Sequence, residues 1–427
     1  MKLKLSILTF FVVSTLNAIT LSEAVQQGIQ SDPEIQAEIL HYDGKKISVN
    51  VAKSGYYPKV DLSGGVGWED TDIENPHSQQ TNDESIKKEV SARLRQPLFE
   101  GFATVNDVSR STAEKRAIGY KLLTLSENKS LKIVKAYLNV LKTREIIFLS
   151  EKNLKTHEDI LSSIEKRYKQ GVSDKADLIQ IKGRVANAKT DFYAAKNNAL
   201  DADAKYVKVV GELPINLENI INKKVYIPLN LEEAIQKSIE KNPTILEAKE
   251  NIRVVESKKD GTKSGYYPHL FGDIEANYKN DADGIDGTQE RYQAMLRMEW
   301  NIFNGFKESY QYEIAQKDVL SVKQNTQETK RELILETTLS WNAYLLLNKQ
   351  EKSLQEHVEY SKEAKKLYQD QYNVGRRSLI DVLNSQVEAF NAAKALISSK
   401  HDEVAAKYRI LNSMGMLNKT LGVNVYK

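Results

Sequence analysis

The sequence predicts an α+β membrane protein, internally duplicated, in which long helices carry four strands per chain. Three observations predict it. The chain repeats itself: Gly55-Tyr56-Tyr57-Pro58 returns as Gly265-Tyr266-Tyr267-Pro268, and Asp32-Pro33 as Asn242-Pro243, both at an offset of 210. Leu98-Phe99-Glu100-Gly101-Phe102 returns as Ile302-Phe303-Asn304-Gly305-Phe306, and Asp177 as Asp381, at an offset of 204. A repeat of this length marks one supersecondary unit used twice. Next, no Pro lies between Pro97 and Pro214 or after Pro268, and those stretches are rich in Lys, Glu, Ala, Leu and Gln, as long helices are. Last, four segments alternate apolar and polar residues with period two, the pattern of strands.

Residues 1–18 read as a secretory signal peptide, with Lys2 and Lys4 before the apolar run Leu5 to Val13 and Ala18 at its end. Its removal takes the formal charge from +3 to about +1, which gives no global case for binding nucleic acid. Residues 19–211 form the first copy, and 212–230, with Pro214 and Pro228, a linker. The second copy is 231–417, and 418–427 is a tail.

Each copy opens with a helix, Ile19 to about Gly55 and Leu231 to about Gly265, with apolar residues three to four apart. Thr20 or Ser22 can cap the first. The Gly-Tyr-Tyr-Pro string stops each helix, because Gly permits a left-handed turn and Pro biases the preceding residue toward an extended backbone. Strands follow. Val60, Leu62, Gly64, Val66 and Trp68 form one apolar face, and Ile86, Val90, Ala92 and Leu94 the next. In the second copy Leu270, Gly272, Ile274, Ala276 and Tyr278 are followed by Tyr292, Ala294, Leu296, Met298, Trp300 and Ile302. The opposite faces carry Glu89, Arg93, Arg95, Asp273, Glu275, Arg291, Arg297 and Glu299.

A soluble sheet packed on helices also alternates. A membrane barrel is favoured by strands of about ten residues, the length that crosses a bilayer when tilted. Polar loops over 70–85 and 281–290, and Trp68 and Trp300 near strand ends, point the same way. Four strands cannot close a barrel, and an open edge in lipid leaves backbone groups unpaired, so other chains must complete it. The rest of each copy is helical: Phe102 to about Tyr168 and Asp174 to Gly211, then Phe306 to about Asn373 and Ser378 to about Leu417. A helix of some 65 residues is about 100 Å long.

The chain has no Cys, hence no disulfide, thiolate metal site or lipid-bearing Cys. The six His are scattered, and neither His157-Glu158 nor His401-Asp402-Glu403 completes a zinc-binding His-Glu-x-x-His. Gly64, Gly65 and Gly67 lack the Lys-Ser/Thr of a phosphate loop. No enzyme site, cofactor site or metal site is legible.

The order of helix, strand pair, long helix and return helix, given twice, resembles the TolC-type outer membrane efflux proteins. The sharpest string is Tyr372-Asn373-Val374-Gly375-Arg376-Arg377-Ser378-Leu379-Ile380-Asp381-Val382-Leu383, with a weaker counterpart over Tyr168 to Leu178. The resemblance implies a homotrimer whose twelve strands form one outer membrane β-barrel, set in lipid. Its long helices would form a coiled-coil tunnel through the periplasm of a Gram-negative bacterium. It also implies a duct without cofactor or catalysis, docked to a periplasmic adaptor and an inner-membrane RND or ABC transporter for multidrug efflux or type I protein secretion. The alternative is a secreted structural coiled-coil protein, an adhesin or spacer, with a soluble sheet.

By matching position, the resemblance makes Asp381 a ring acid at the periplasmic gate and Tyr372, Arg377 and Asp177 a latch. Three carboxylates around one axis would concentrate negative potential and favour cations. Ser378 and Asp381 also read as a helix cap. Asn384 stands where a second ring acid can occur, and Ala176 where a hydroxyl can join the latch. Gly171, Val172, Val374, Gly375 and Arg376 are the candidate adaptor-docking tips, although Gly is needed there in any case to turn the chain.

Overall fold

The computed structural model describes residues 18–73 and 81–425. The expected signal peptide, apart from Ala18, and the middle of the expected loop over 70–85 lie outside the described residues. The elements are α1 (Leu21–Ser31), α2 (Pro33–Ser54), β1 (Lys59–Ile73), β2 (Thr81–Glu100), α3 (Ala103–Lys169) and α4 (Lys175–Val210). After the linker come α5 (Leu231–Lys241), α6 (Pro243–Gly261), a 3-10 turn over Thr262–Tyr266, β3 (His269–Ala282), β4 (Ile285–Glu299), α7 (Lys307–Asn373), α8 (Leu379–Ser413) and α9 (Leu417–Leu421).

Three expectations need correction. The opening helix of each copy is two helices. The break falls at Asp32-Pro33 and Asn242-Pro243, where the Pro, lacking an N–H, starts a new helix. Asp32 caps α2 by accepting from the amides of Glu34 and Ile35 at 2.9 and 3.1 Å. The strands also run longer than ten residues, from 14 in β3 to 20 in β2, because pairing continues into the polar ends. Finally, Trp68 pairs with Ile86 inside β1 rather than near its end, whereas Trp300, next to the last residue of β4, stands at a strand end as expected.

The chain divides into two compact units. One contains Ile39–Lys121 and Thr244–Thr329 and holds the sheet. All pairings are antiparallel in the order β1-β2-β3-β4, so the two copies meet where β2 pairs with β3. Leu94 faces Ile274 and Ala92 faces Ala276 there. Where strand gives way to helix, Gly101 and Phe102 have φ of +57° and +68°, and Gly305 and Phe306 repeat this at +57° and +62°. A non-glycine residue with positive φ is uncommon, and its recurrence at both junctions shows a shared local design. Phe99 and Phe102 stack edge to face at 5.3 Å, and Phe303 and Phe306 at 5.4 Å.

The other unit contains the chain up to Glu38, Leu122–Pro243 and everything from Lys330 onward. Thr20 caps α1 through a reciprocal box with Glu23. The linker is tied to the start of the chain: the Ile19 amide donates to Asn216 O at 2.9 Å, and the Glu218 amide to Ile19 O at 3.0 Å. The buried Tyr137 hydroxyl lies 2.8 Å from the carbonyl oxygens of both Ile19 and Glu218. The C-terminal α9 is held on α3 by Glu127, which accepts from the amides of Leu417 and Asn418 at 3.0 and 3.1 Å.

Burial pushes the Glu127 carboxyl up from the ordinary 4.5 to about 7, against the pull of the two amides. A carboxyl raised on folding favours the protonated form. Its contribution to stability is therefore full below about pH 4.5 and declines as pH rises toward about 7. Glu127→Gln is expected to remove this slope, on the order of 3 kcal/mol across the window. Thermal unfolding followed from pH 4.5 to 8 checks it; parallel curves for variant and wild type would refute it.

Candidate functional site

The strand faces come first, because they decide where this chain can reside. Leu62, Val66, Trp68, Ile274, Tyr292, Leu296 and Met298 lie on the apolar face, and each is more than half exposed. A soluble sheet would bury this face against its helices. Here it is the charged groups of the polar face that pair with one another. Asp273, only 2% exposed, accepts from Arg93 at 3.1 Å, Arg95 at 2.9 Å and Arg297 at 2.8 Å. Glu275 adds an ion pair with Arg93 at 3.1 Å. The Arg95 guanidinium also lies over the Phe271 ring at 4.8 Å.

An exposed apolar face backed by a charged, hydrogen-bonded one is the arrangement of a strand with lipid on one side and water on the other. One end of the sheet carries exposed aromatics from both copies: Tyr57, Tyr267, Phe102, Phe306, Phe303 and Trp300. Rings with one apolar and one wetted side suit a membrane–water boundary. The doubled Gly-Tyr-Tyr-Pro thus contributes aromatics as well as a turn, but not the expected left-handed one, since neither Gly55 nor Gly265 has positive φ. No helix among the described residues is long and apolar enough to cross a membrane.

The helix-to-helix turns come next. Val172 N–H donates to Arg167 O at 2.9 Å and Gly171 N–H to Tyr168 O at 3.0 Å. Arg376 N–H donates to Gln371 O at 2.8 Å and Gly375 N–H to Tyr372 O at 3.0 Å. These are paired Schellman closures, with Gly171 and Gly375 left-handed at φ +75° and +73°. Val172 and Val374 are exposed at these turns.

Beyond the second turn, Ser378 caps α8 by accepting the Asp381 amide at 3.3 Å and donates to Asp381 Oδ2 at 2.8 Å. The Ser378 hydroxyl, with help from the Arg377 charge, holds the Asp381 carboxyl below its ordinary range. Arg377 stays on its own hairpin: Nε donates to Gln371 at 3.0 Å, the guanidinium lies over Tyr368 at 4.1 Å, and Nη1 is 3.7 Å from Asp381. Asp177 is held by Ser173 at 2.9 Å, and its amide is capped by Asp174. Tyr372 packs on a core of Ile164, Ile181, Leu379 and Leu383, with the Arg167 guanidinium 5.2 Å over its ring. Burial raises its phenol, opposed by the Arg167 charge and reinforced by that of Asp177.

Among the described residues, no ion pair joins Arg377 to Asp177. A bond that does cross between hairpins near these turns runs from Arg184 to Asn384 Oδ1 at 2.7 Å. Sequence reasoning had singled out Asn384 only as a missing acid. Its partner lies 200 residues away, so no local pattern could have found it.

A family model described as outer membrane efflux protein matches residues 24–212 and again 234–416. The chain belongs to the outer membrane efflux protein family. Its place is the outer membrane of a Gram-negative bacterium, with a long periplasmic extension. Among proteins similar to it is the outer membrane efflux protein BepC of Brucella suis biovar 1, 23% identical over 380 residues, covering 88% of this chain and 81% of that protein. The outer membrane protein TolC of Escherichia coli is 20% identical over 416 residues, covering 93% and 83%. In fold the chain resembles CusC, with a TM-score of 0.80 at 13% identity over 95% of this chain and 92% of the other. It also resembles the outer membrane protein VceC from Vibrio cholerae, with a TM-score of 0.77 at 12% identity over 92% and 96%.

Membership of an outer membrane family, together with the exposed apolar face, favours lipid contact over the soluble-sheet alternative. Efflux, rather than any reaction, is what these relatives are named for.

Proposed function

We propose that the chain assembles as a homotrimer forming the passive exit duct of a tripartite export system. In this reading the duct docks with a periplasmic adaptor and an inner-membrane RND or ABC transporter, and catalyses no reaction. The observation that carries the proposal is the four-stranded sheet with an exposed apolar face and two open edges, β1 and β4. Open edges in lipid must be paired, and copies of the same chain supply identical partners. Conductance of the purified protein in a planar bilayer, combined with membrane fractionation and crosslinking to inner-membrane partners, tests it. Release without detergent and absence of conductance would overturn it.

The second hairpin supplies the gate in this reading. Asp381 is the ring acid, Arg377, Tyr372 and Asp177 restrain the helices, and the turns at Gly171, Val172, Val374, Gly375 and Arg376 meet the adaptor. The support is that Asp381 is partly exposed and held in its charged form, with Arg377 as its nearest cation. Asp381→Asn is expected to weaken block by multivalent cations, and Arg377→Ser to raise resting conductance. Because the carboxyl titrates below its ordinary 3.8, wild-type block should persist as pH falls to about 4. Single-channel recordings check all three, and unchanged conductance and block in both variants would remove Asp381 and Arg377 from the gate.

A further inference from the structure

The unit that does not hold the sheet contains a cleft of about 950 Å³ between α3, α4, α7 and α8. Its charge is one-sided. Seven cationic side chains line it against two carboxylates, Asp32 and Asp402. Both carboxylates are already engaged: Asp32 pairs with Lys129 at 2.8 Å and Asp402 with Lys142 at 3.3 Å. Among the described residues, Lys132, Lys135, Lys205, Lys208 and Arg409 have no ion-pair partner. Like charges gathered around one concavity raise each other's free energy, and a bound anion offsets that cost.

The walls are apolar. Ile133 and Leu138 are almost fully buried behind the cleft, and Val209 and Leu347 complete its surface. The volume is that of a site for a small organic molecule. Lysine stems reach across apolar surface while their ammonium groups stay at its rim, so one ligand can touch both.

We propose that this cleft binds a small amphiphilic anion, one carrying a carboxylate, sulfate or sulfonate head on an apolar ring or chain. The head is held by the unpaired lysines and Arg409, and the body lies on Ile133, Leu138, Val209 and Leu347. Neutral and cationic amphiphiles of the same size are discriminated against, because they leave the five cations uncompensated. This is an equilibrium property of the folded chain and needs no assumption about transport.

Equilibrium dialysis of the full-length protein in lipid nanodiscs tests it, with 2-naphthalenesulfonate as probe and 2-naphthalenemethanol as its uncharged counterpart. Empty nanodiscs correct for partition into lipid. Saturable binding of the sulfonate, at least about tenfold tighter than the alcohol, is expected. The double variant Lys135→Gln/Lys208→Gln should weaken sulfonate binding by about tenfold or more and leave binding of the alcohol unchanged. A control, Lys349→Gln/Lys352→Gln, changes exposed lysines outside the cleft and should bind as wild type does. Equal sulfonate binding by wild type and the cleft variant would overturn the proposal, as would no saturable binding. If the cleft variant instead loses its oligomeric state, the cations serve contact with a second copy, and the proposal also fails.

Discussion

Leu62→Arg is expected to prevent assembly in the membrane. Leu62 is 78% exposed on the apolar face of β1, opposite Ala92 on β2. A guanidinium there would have to be taken into hydrocarbon. On a membrane barrel such a change costs about 2–4 kcal/mol at the bilayer midplane. If three chains close one barrel, the cost is incurred three times in one assembly. The variant should be lost from the outer membrane fraction and show no heat-resistant oligomer on gels. Gln293→Arg is the matched control. Gln293 donates to Glu275 on the polar face, and an arginine there keeps a cation beside a carboxylate. It should assemble normally. Equal recovery of both variants from the membrane would show that the apolar face does not meet lipid.

Gly101→Ala should be the most damaging small substitution in the sheet-bearing unit. Gly101 sits at φ +57°, where an L-residue with a Cβ costs roughly 1–2 kcal/mol. The added carbon would also lie 2.5 Å from the carbonyl oxygen of Ser264, in the turn before β3. That neighbour is backbone and cannot rotate away, so the turn or the strand must shift. Gly171→Ala, at φ +75° with open space around it, isolates the conformational cost alone. Thermal unfolding should therefore rank wild type above Gly171→Ala, and Gly171→Ala well above Gly101→Ala. Equal losses would mean that the Ser264 contact is relieved at no cost.

Much of the fold was legible because each helix and strand carries its own periodic signature. The four long helices end within a few residues of where their Pro-free runs and Gly turns place them. The breaks at Pro33 and Pro243 were missed because the apolar spacing continues across them, and only the missing amide of Pro marks the cut. The strand pairs were visible, but their lengths were not, since pairing in the polar extensions has no apolar face to reveal it. The capping role of Ser378 could be read locally. The Arg184–Asn384 bond could not, and neither could the cationic cleft. Lys132, Lys135, Lys205 and Lys208 look in sequence like the solvated faces of two separate helices, and only tertiary packing gathers them around one concavity.

The β2–β3 seam joins the first copy to the second, and it doubles as a template. A barrel closed by further chains requires β4 of one chain to meet β1 of the next. The internal offsets carry the observed register across to that joint. Where Arg95 faces Asp273 and Arg93 faces Glu275 inside the chain, Glu299 would face Ser63 and Arg297 would face Gly65 of the next copy. By the same offsets, the approach of Gly101 to Ser264 would be matched by one of Gly305 to Ser54 of the next copy. If copies of the chain pair in this way, duplication supplies one geometry with two chemistries: facing opposite charges within each chain, and between chains Glu299 and Arg297 set against the small residues Ser63 and Gly65. Cysteines placed in pairs at 65 and 297 would report that register directly, by which of them crosslink.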